Sequence, residues 1–310
     1  MRELKILGVV VFFSLVVYVG VETYAHAVMH KHVDGGTYDY KDLPAVQKGN
    51  AANGQTLVMS NCIACHAIES QGMAAPMDAT MSGATYGVNP PDLSSSGGIY
   101  DAKFLTAFIK DPASASKVSH KFEDGSKSHP MPGYSWMSDS DIADMVAYLQ
   151  SIAKDEYTPK EVFVDACGRC HAVRYDNRVM GEKWTQIGQK PKFKYEKDSL
   201  AFDIKVLEYQ ETLKNYMGKL PPDLSTIVVA RSNHFIETFI ENPQAQLEGT
   251  AMPAVGLTKP AYDKVLVYLT KMGDPKKEER EAYGPWFLLY FTILAVLSFA
   301  WKKSVWKKLK

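Results

Sequence analysis

The chain has few cysteines and none to spare. It holds four in 310 residues, and two short motifs use all of them. No thiol is left for a disulfide, a third metal site or a cysteine nucleophile. Net charge is also missing, because 35 Lys and Arg balance 35 Asp and Glu. A nucleic-acid-binding surface usually shows as a basic excess, so that class of partner is not expected. Long apolar runs are confined to the two ends, Ile6 to Val21 and Pro285 to Trp301.

The cysteines lie in Cys62-Ile63-Ala64-Cys65-His66 and Cys167-Gly168-Arg169-Cys170-His171. Cys-x-x-Cys-His reads as a covalent haem c attachment site. Two thiols three positions apart can bond the two vinyl groups of one haem. The histidine that follows, His66 or His171, can then ligate the iron. A zinc ribbon also uses paired Cys-x-x-Cys, but its pairs usually lie about 15–20 residues apart. Here roughly a hundred residues separate them, and a histidine follows each at once. A thioredoxin-like redox pair needs one motif in a βαβ context. The expected cofactors are therefore two covalently bound haem c groups.

The terminal runs are near the short end of the roughly 17–25 residues a spanning helix needs. Trp286, Tyr290 and Trp301 suit an interfacial aromatic belt, and Lys302, Lys303, Lys307, Lys308 and Lys310 can snorkel beyond it. The C-terminal run is read as a membrane anchor. The N-terminal run, after a basic start and before Ala25-His26-Ala27, reads as an uncleaved anchor or as a signal peptide. Basic residues at both ends place both termini in the cytoplasm and the middle in the periplasm. Glu22, His26 and His30 share a helical spacing, with His32 close by, and read as a polar turn at the membrane surface. Asp34-Gly35-Gly36 reads as a linker.

Between the ends the chain repeats itself. A helix leads into Cys62, and Gly-, Pro-, Ser- and Met-rich residues 72–100 read as loop. Within that loop sits Pro90-Pro91-Asp92-Leu93-Ser94. Phe108 to Pro112 follows, then Met131-Pro132 and a closing helix with Ile142, Met145, Val146 and Leu149 on one face. Ser138 is its expected N-cap, with Asp141 three residues on. In the second half, Thr158-Pro159-Lys160-Glu161 reads as a capping box with proline at the first helical position. Pro221-Pro222-Asp223-Leu224-Ser225, Phe239 to Pro243, Met252-Pro253 and a helix with Tyr262, Val265, Leu266 and Leu269 then recur in the same order. Phe108 and Phe239 each follow the first proline by 18 residues. This is an internal duplication.

The copies differ in length. The second has about 26 extra residues between its histidine and Pro222, lysine-rich and partly amphipathic through Ile204, Leu207, Leu213 and Met217. That insertion reads as a solvated helix face, with a docking surface as the lesser alternative. The first copy has about ten extra residues before Met131.

The matched methionines Met131 and Met252 are the expected sixth iron ligands, since a thioether stabilises ferrous iron. The proline after each stiffens its loop. His129 rivals Met131, and His120 more weakly; His234 reads as a helix residue. Pro91 and Pro222 are expected to wall the haem edge, and Arg231 to pair with a haem propionate through its guanidinium fork. The expected fold is mainly α. It has two tandem cytochrome c-type domains at 45–155 and 156–275, between a transmembrane anchor or signal segment at 1–28 and an anchor at 283–304.

Pro221-Pro222-Asp223-Leu224-Ser225, then Ile227 and Ala230-Arg231, resembles the haem-pocket signature of cytochrome c1, the haem c subunit of the bc1 complex. The basic-ended C-terminal anchor is similar to that family as well. Taken whole, the chain resembles the dihaem cytochrome c1 variant of some bacteria. It departs from the single-haem form in having a second Cys-x-x-Cys-His and an N-terminal run. The resemblance implies an electron-transfer subunit of a quinol–cytochrome c reductase in the cytoplasmic membrane, with no bond-breaking chemistry of its own. The implied partners are cytochrome b, the Rieske iron–sulfur protein, and a soluble cytochrome c or terminal oxidase. Rival readings are the dihaem subunit of a cbb3-type oxidase, a free-standing tethered shuttle and a dihaem peroxidase. Matched methionines argue against the peroxidase, which needs an open iron.

Overall fold

The computed structural model describes residues 2–29, 33, 35–174 and 183–308. It is mainly helical, and its one two-stranded sheet pairs Trp184–Thr185 with Gly188–Gln189 in antiparallel register. Two compact units emerge. The first comprises Met1–Pro76, Asp92–Asp155 and Asn233–Tyr262; the second comprises Met77–Pro91, Glu156–Ser232 and Asp263–Lys310. This division interleaves along the chain and differs from the expected boundaries at 45–155 and 156–275.

In the first unit the Ala51–Asn61 helix crosses the Asp139–Ser151 helix. Glycine makes the close approach possible: a Cβ on Gly54 would lie 1.8 Å from the Asp144 carbonyl oxygen. Asn50 caps the first helix, and its amide donates to Asp144 Oδ1 at 2.5 Å. Ser138 caps the second by accepting from the Asp141 amide at 3.1 Å, as its sequence implies. Ile142, Met145, Val146 and Leu149 are all buried, together with Val58, Ile68, Leu105 and Ile109. Burying a side chain of this size stabilises by about 1.5–3 kcal/mol.

Two stretches depart from the sequence reading here. Gly35-Gly36 is not a free linker. The Gly36 and Tyr38 amides donate to the Glu241 carboxylate at 2.5 and 2.6 Å, and the Tyr40 hydroxyl donates to the Leu257 carbonyl at 2.7 Å. Tyr38 stacks on Tyr262, and burial pushes its phenol well above the usual range. Residues 99–116 hold the 254–258 segment through Asp101 N–H to Gly256 O, Thr258 N–H to Ile99 O and Ala254 N–H to Ser116 O, each 2.9 Å. That is why 233–262 joins this unit.

In the second unit Thr158 and Glu161 form the expected capping box at the start of the Pro159–Ala166 helix. Phe163 stacks on Tyr268 at 4.6 Å. The Lys259–Gly273 helix, whose first residues to Tyr262 belong to the first unit, buries Tyr262, Val265 and Leu269, as expected, and Leu266 is half-buried. The insertion forms the Trp184–Gln189 hairpin and the 22-residue Glu196–Met217 helix. That helix buries Val206, Tyr209, Gln210 and Leu213 and exposes Ile204 and Leu207. Its inner face is therefore rotated from the one the apolar spacing suggested.

Residues 72–100 are not all loop. Asp78 caps a helix over Ala79–Tyr86, and left-handed Gly87 ends it. A Cβ on Gly83 would meet the Tyr209 ring at 2.7 Å, and one on Gly87 would meet Tyr216 at 2.4 Å. This packing draws 77–91 into the second unit.

Two terminal helices, Arg2–Ala25 and Lys277–Lys307, are long and apolar enough to cross a membrane and bury nothing. The second begins before the apolar run and carries Pro285 within it. His30, His32 and Asp34 lie outside the described residues.

Candidate haem-attachment sites

Both cysteine motifs sit at the end of a helix and turn in the same way. The Cys62 amide closes its helix onto the Val58 carbonyl at 2.9 Å; the Cys167 amide closes onto Phe163 at 2.8 Å. The Cys65 and His66 amides then both donate to the Cys62 carbonyl, at 3.1 and 2.9 Å. Cys170 and His171 donate to the Cys167 carbonyl at the same two distances. This turn folds each pair of thiols together. Burial and then the neighbouring Cys65 push the Cys62 thiol up to about 11. Burial and Cys170 push Cys167 up to about 12. Both remain protonated thiols near neutral pH.

The Pro-Pro-Asp-Leu-Ser segments dock on these turns in matching fashion. The Leu93 amide donates to the Ala67 carbonyl, and the Leu224 amide to the Ala172 carbonyl, both at 2.9 Å. Asp92 and Asp223 each accept from the serine amide two residues on, at 2.8 Å. At the second motif, His171 Nδ1 lies 2.8 Å from the Pro222 carbonyl. A carbonyl only accepts, so Nδ1 carries the proton and Nε2 keeps its lone pair for a metal. Burial lowers the His171 pKa, which favours this neutral ligand form. Pro222 thus orients the histidine through its backbone, a role the sequence reading did not assign. Only the matched position of the segment after each motif hinted at it.

Met131 is half-buried and packs against the first unit's core, as do Met59, Cys62 and Tyr134. The Tyr134 hydroxyl donates to the Asn61 carbonyl at 3.0 Å, fixing this loop to the residue before Cys62. His129 accepts from the Met131 amide at 3.2 Å, with the Phe108 and Phe122 rings edge-on to it. Its Nδ1 serves the loop backbone. His120 is exposed, and His234 lies in the Asn233–Glu241 helix. Met252 is half-buried, with its amide 3.4 Å from Thr250 Oγ1. It falls in the first unit, whereas Cys167, Cys170 and His171 fall in the second. Arg231 is exposed, its guanidinium 3.5 Å from the Ala230 carbonyl. Pro91 is half-buried and Pro222 exposed.

The donor set fits a covalently attached haem at each motif: two adjacent thiols and an imidazole, with the second imidazole held in the ligating tautomer. Among the described residues no cluster of three or more His, Cys, Asp or Glu side chains offers another metal site.

Comparison with known proteins bears on the first motif. The cytochrome c family model matches residues 51–153, which hold the first motif and Met131. Cytochrome c of Tetrahymena pyriformis is 32% identical over 111 residues, which cover 34% of this chain and 93% of that protein. No solved structure matches. The chain belongs to the cytochrome c family. Its cytochrome c domain implies covalently bound haem c and a role in electron transfer.

Proposed function

We propose that the chain is a membrane-anchored dihaem cytochrome c of the cytochrome c1 kind. It takes electrons from the Rieske protein of a quinol–cytochrome c reductase and passes them to a soluble cytochrome c or a terminal oxidase. The observation that carries the second haem is the repeated turn. Cys170 and His171 repeat the hydrogen bonds of Cys65 and His66, and Leu224 and Ser225 repeat those of Leu93 and Ser94.

Bound haem supplies a one-electron iron couple. The chain's residues hold and tune it. Cys62 and Cys65, and Cys167 and Cys170, form the thioethers. His66 and His171, with Met131 and Met252, would ligate the iron. Pro91, Pro222 and Arg231 line or pair with the group. The two apolar helices anchor the chain in the cytoplasmic membrane, with the haem domains in the periplasm and both termini in the cytoplasm. On this reading quinol oxidation is carried out by other subunits of the complex.

Purification from native membranes in mild detergent tests this reading. Two covalent haems per chain with stoichiometric b-type haem and a Rieske subunit are expected. Copurifying oxidase subunits, or a lone c-type chain, would sink the reductase assignment. Replacing Met131 or Met252 with alanine should lower one haem potential each, because a stabiliser of ferrous iron is lost. Two unmoved potentials would refute the ligand pair.

A further inference from the structure

The two attachment turns are alike in backbone and differ in the residue before the second cysteine. It is Ala64 in the first turn and Arg169 in the second. Ile63 and Ala64 are both exposed, whereas Gly168 is buried and Arg169 half-buried. The second turn therefore holds a charge where the first holds a methyl group open to water. A guanidinium stays protonated at any pH a protein survives, so this charge is permanent.

The second unit fixes Arg169 at both its backbone and its side-chain tip. The Trp184 indole N–H donates to the Gly168 carbonyl at 2.9 Å, and a Cβ on Gly168 would lie 2.6 Å from that indole nitrogen. The Tyr209 hydroxyl donates to the Arg169 carbonyl at 3.0 Å and accepts from the Asn89 amide at 3.0 Å. The guanidinium Nη1 donates to the Asn89 carbonyl at 3.2 Å. The hairpin, the long helix and residues 77–91 together roof the Cys-Gly-Arg-Cys turn. Under that roof the Arg169 Nε is buried without a hydrogen-bond partner. Among the described residues no carboxylate pairs with Arg169. A charge taken out of water usually meets a counter-charge, because its lost hydration costs more than one hydrogen bond to a neutral carbonyl returns. A roof built for cover alone would be better served by a neutral side chain, so the unpaired cation calls for another account.

We infer that Arg169 is a tuning residue that raises the reduction potential of the haem attached at Cys167 and Cys170. Ferric haem carries one positive charge more than ferrous haem. A fixed cation at the attachment turn repels the ferric form more strongly and so favours the ferrous one. The repulsion is largest where water is excluded, and the roof excludes it. Its hydrogen bonds also hold the guanidinium in place, so the charge cannot swing away to solvent. The first turn offers no such charge, and water around Ile63 and Ala64 would screen one. One duplicated framework thus sets two different potentials. This rests on the two-haem reading above.

The test is a spectroelectrochemical titration of the full chain in detergent with both haems attached. Arg169→Gln should lower one midpoint potential and leave the other in place. The expected fall is on the order of tenfold in the ferrous-to-ferric ratio at a fixed electrode potential, or ~59 mV for one electron. Arg169→Lys keeps the charge and should lower the same potential by less than half as much. Equal falls in the two variants would assign the effect to lost packing, and two unmoved potentials would remove it; either overturns the inference. Should Arg169→Gln attach no second haem, Ala64→Arg decides. At about 10 mM salt, where screening reaches only to ~30 Å, it should raise the other potential, and no rise overturns the inference. Peptide mapping of the parent chain separates the two levels of the argument. Free thiols at Cys167 and Cys170 would overturn the two-haem reading and this inference with it. Unmoved potentials with both haems attached would overturn the inference alone.

Discussion

The turn after Asn61 and the turn after Ala166 have the same three backbone hydrogen bonds, matching within 0.1 Å. Their surroundings have little in common. The first sits at the edge of a core built from its own helices, with Ile63 and Ala64 facing out. The second is enclosed by a hairpin and a helix that the first copy lacks. The turn is therefore local property: a helix end, one carbonyl taking two amides, and a histidine placed by both. Cover is a property of what the chain inserts later.

Four measurements would break or sharpen this comparison, and the largest effect concerns the thiols themselves. If both turns attach haem, replacing Cys62 and Cys65 with serine should remove one covalent haem per chain, and Cys167 and Cys170 the other. Haem staining and a pyridine haemochrome count would check this. Unchanged haem content in the second variant would make the resemblance of the two turns purely architectural.

Next come the glycines at close approaches. Gly54→Ala drives a methyl into the Asp144 backbone carbonyl, whereas Gly83→Ala meets ring atoms of Tyr209 at 2.7 Å. Backbone yields less than a side chain. Gly54→Ala should cost about 3 kcal/mol and Gly83→Ala about 1 kcal/mol in denaturant unfolding, by the usual cost of overpacking. Equal costs would show that the two units tolerate packing errors alike.

A smaller difference separates two tyrosines. Tyr209 is buried and its hydroxyl bridges the half-buried Arg169 carbonyl and Asn89 amide, so Tyr209→Phe leaves both without that partner and should cost about 2 kcal/mol. Tyr134 is only half-buried, and Tyr134→Phe should cost nearer ~0.5 kcal/mol by losing one hydrogen bond that water replaces. The smallest contrast is the helix caps. Ser138→Ala and Thr158→Ala should each cost about 1 kcal/mol, as N-cap losses do, with no difference between units.

Much of the framework was legible before folding. The capping box at Thr158, the N-cap at Ser138 and the buried faces from Ile142 to Leu149 and from Tyr262 to Leu269 follow from short-range spacing. So do the haem motifs, since cysteine, cysteine and histidine must be close in sequence to share one turn. The Ala79–Tyr86 helix was not legible. It is short and holds Met, Ser and Gly, and its stability comes from Asp78, Gly87 and two distant tyrosine rings. The pinned segment around Tyr38 and Tyr40 was hidden for the same reason. Its partners, Glu241 and Leu257, lie about 200 residues away.

By itself the sequence determined the two Cys-x-x-Cys-His motifs, the apolar ends and most helix starts, because each depends on residues within a few positions of one another, and the recurring segments show by direct comparison. Only the tertiary structure decided that Pro222 orients His171, that 77–91 and 233–262 leave their own repeats, and that one attachment turn is open and the other roofed. Those outcomes depend on hydrogen bonds and ring packing between residues far apart in the chain, which no local pattern encodes.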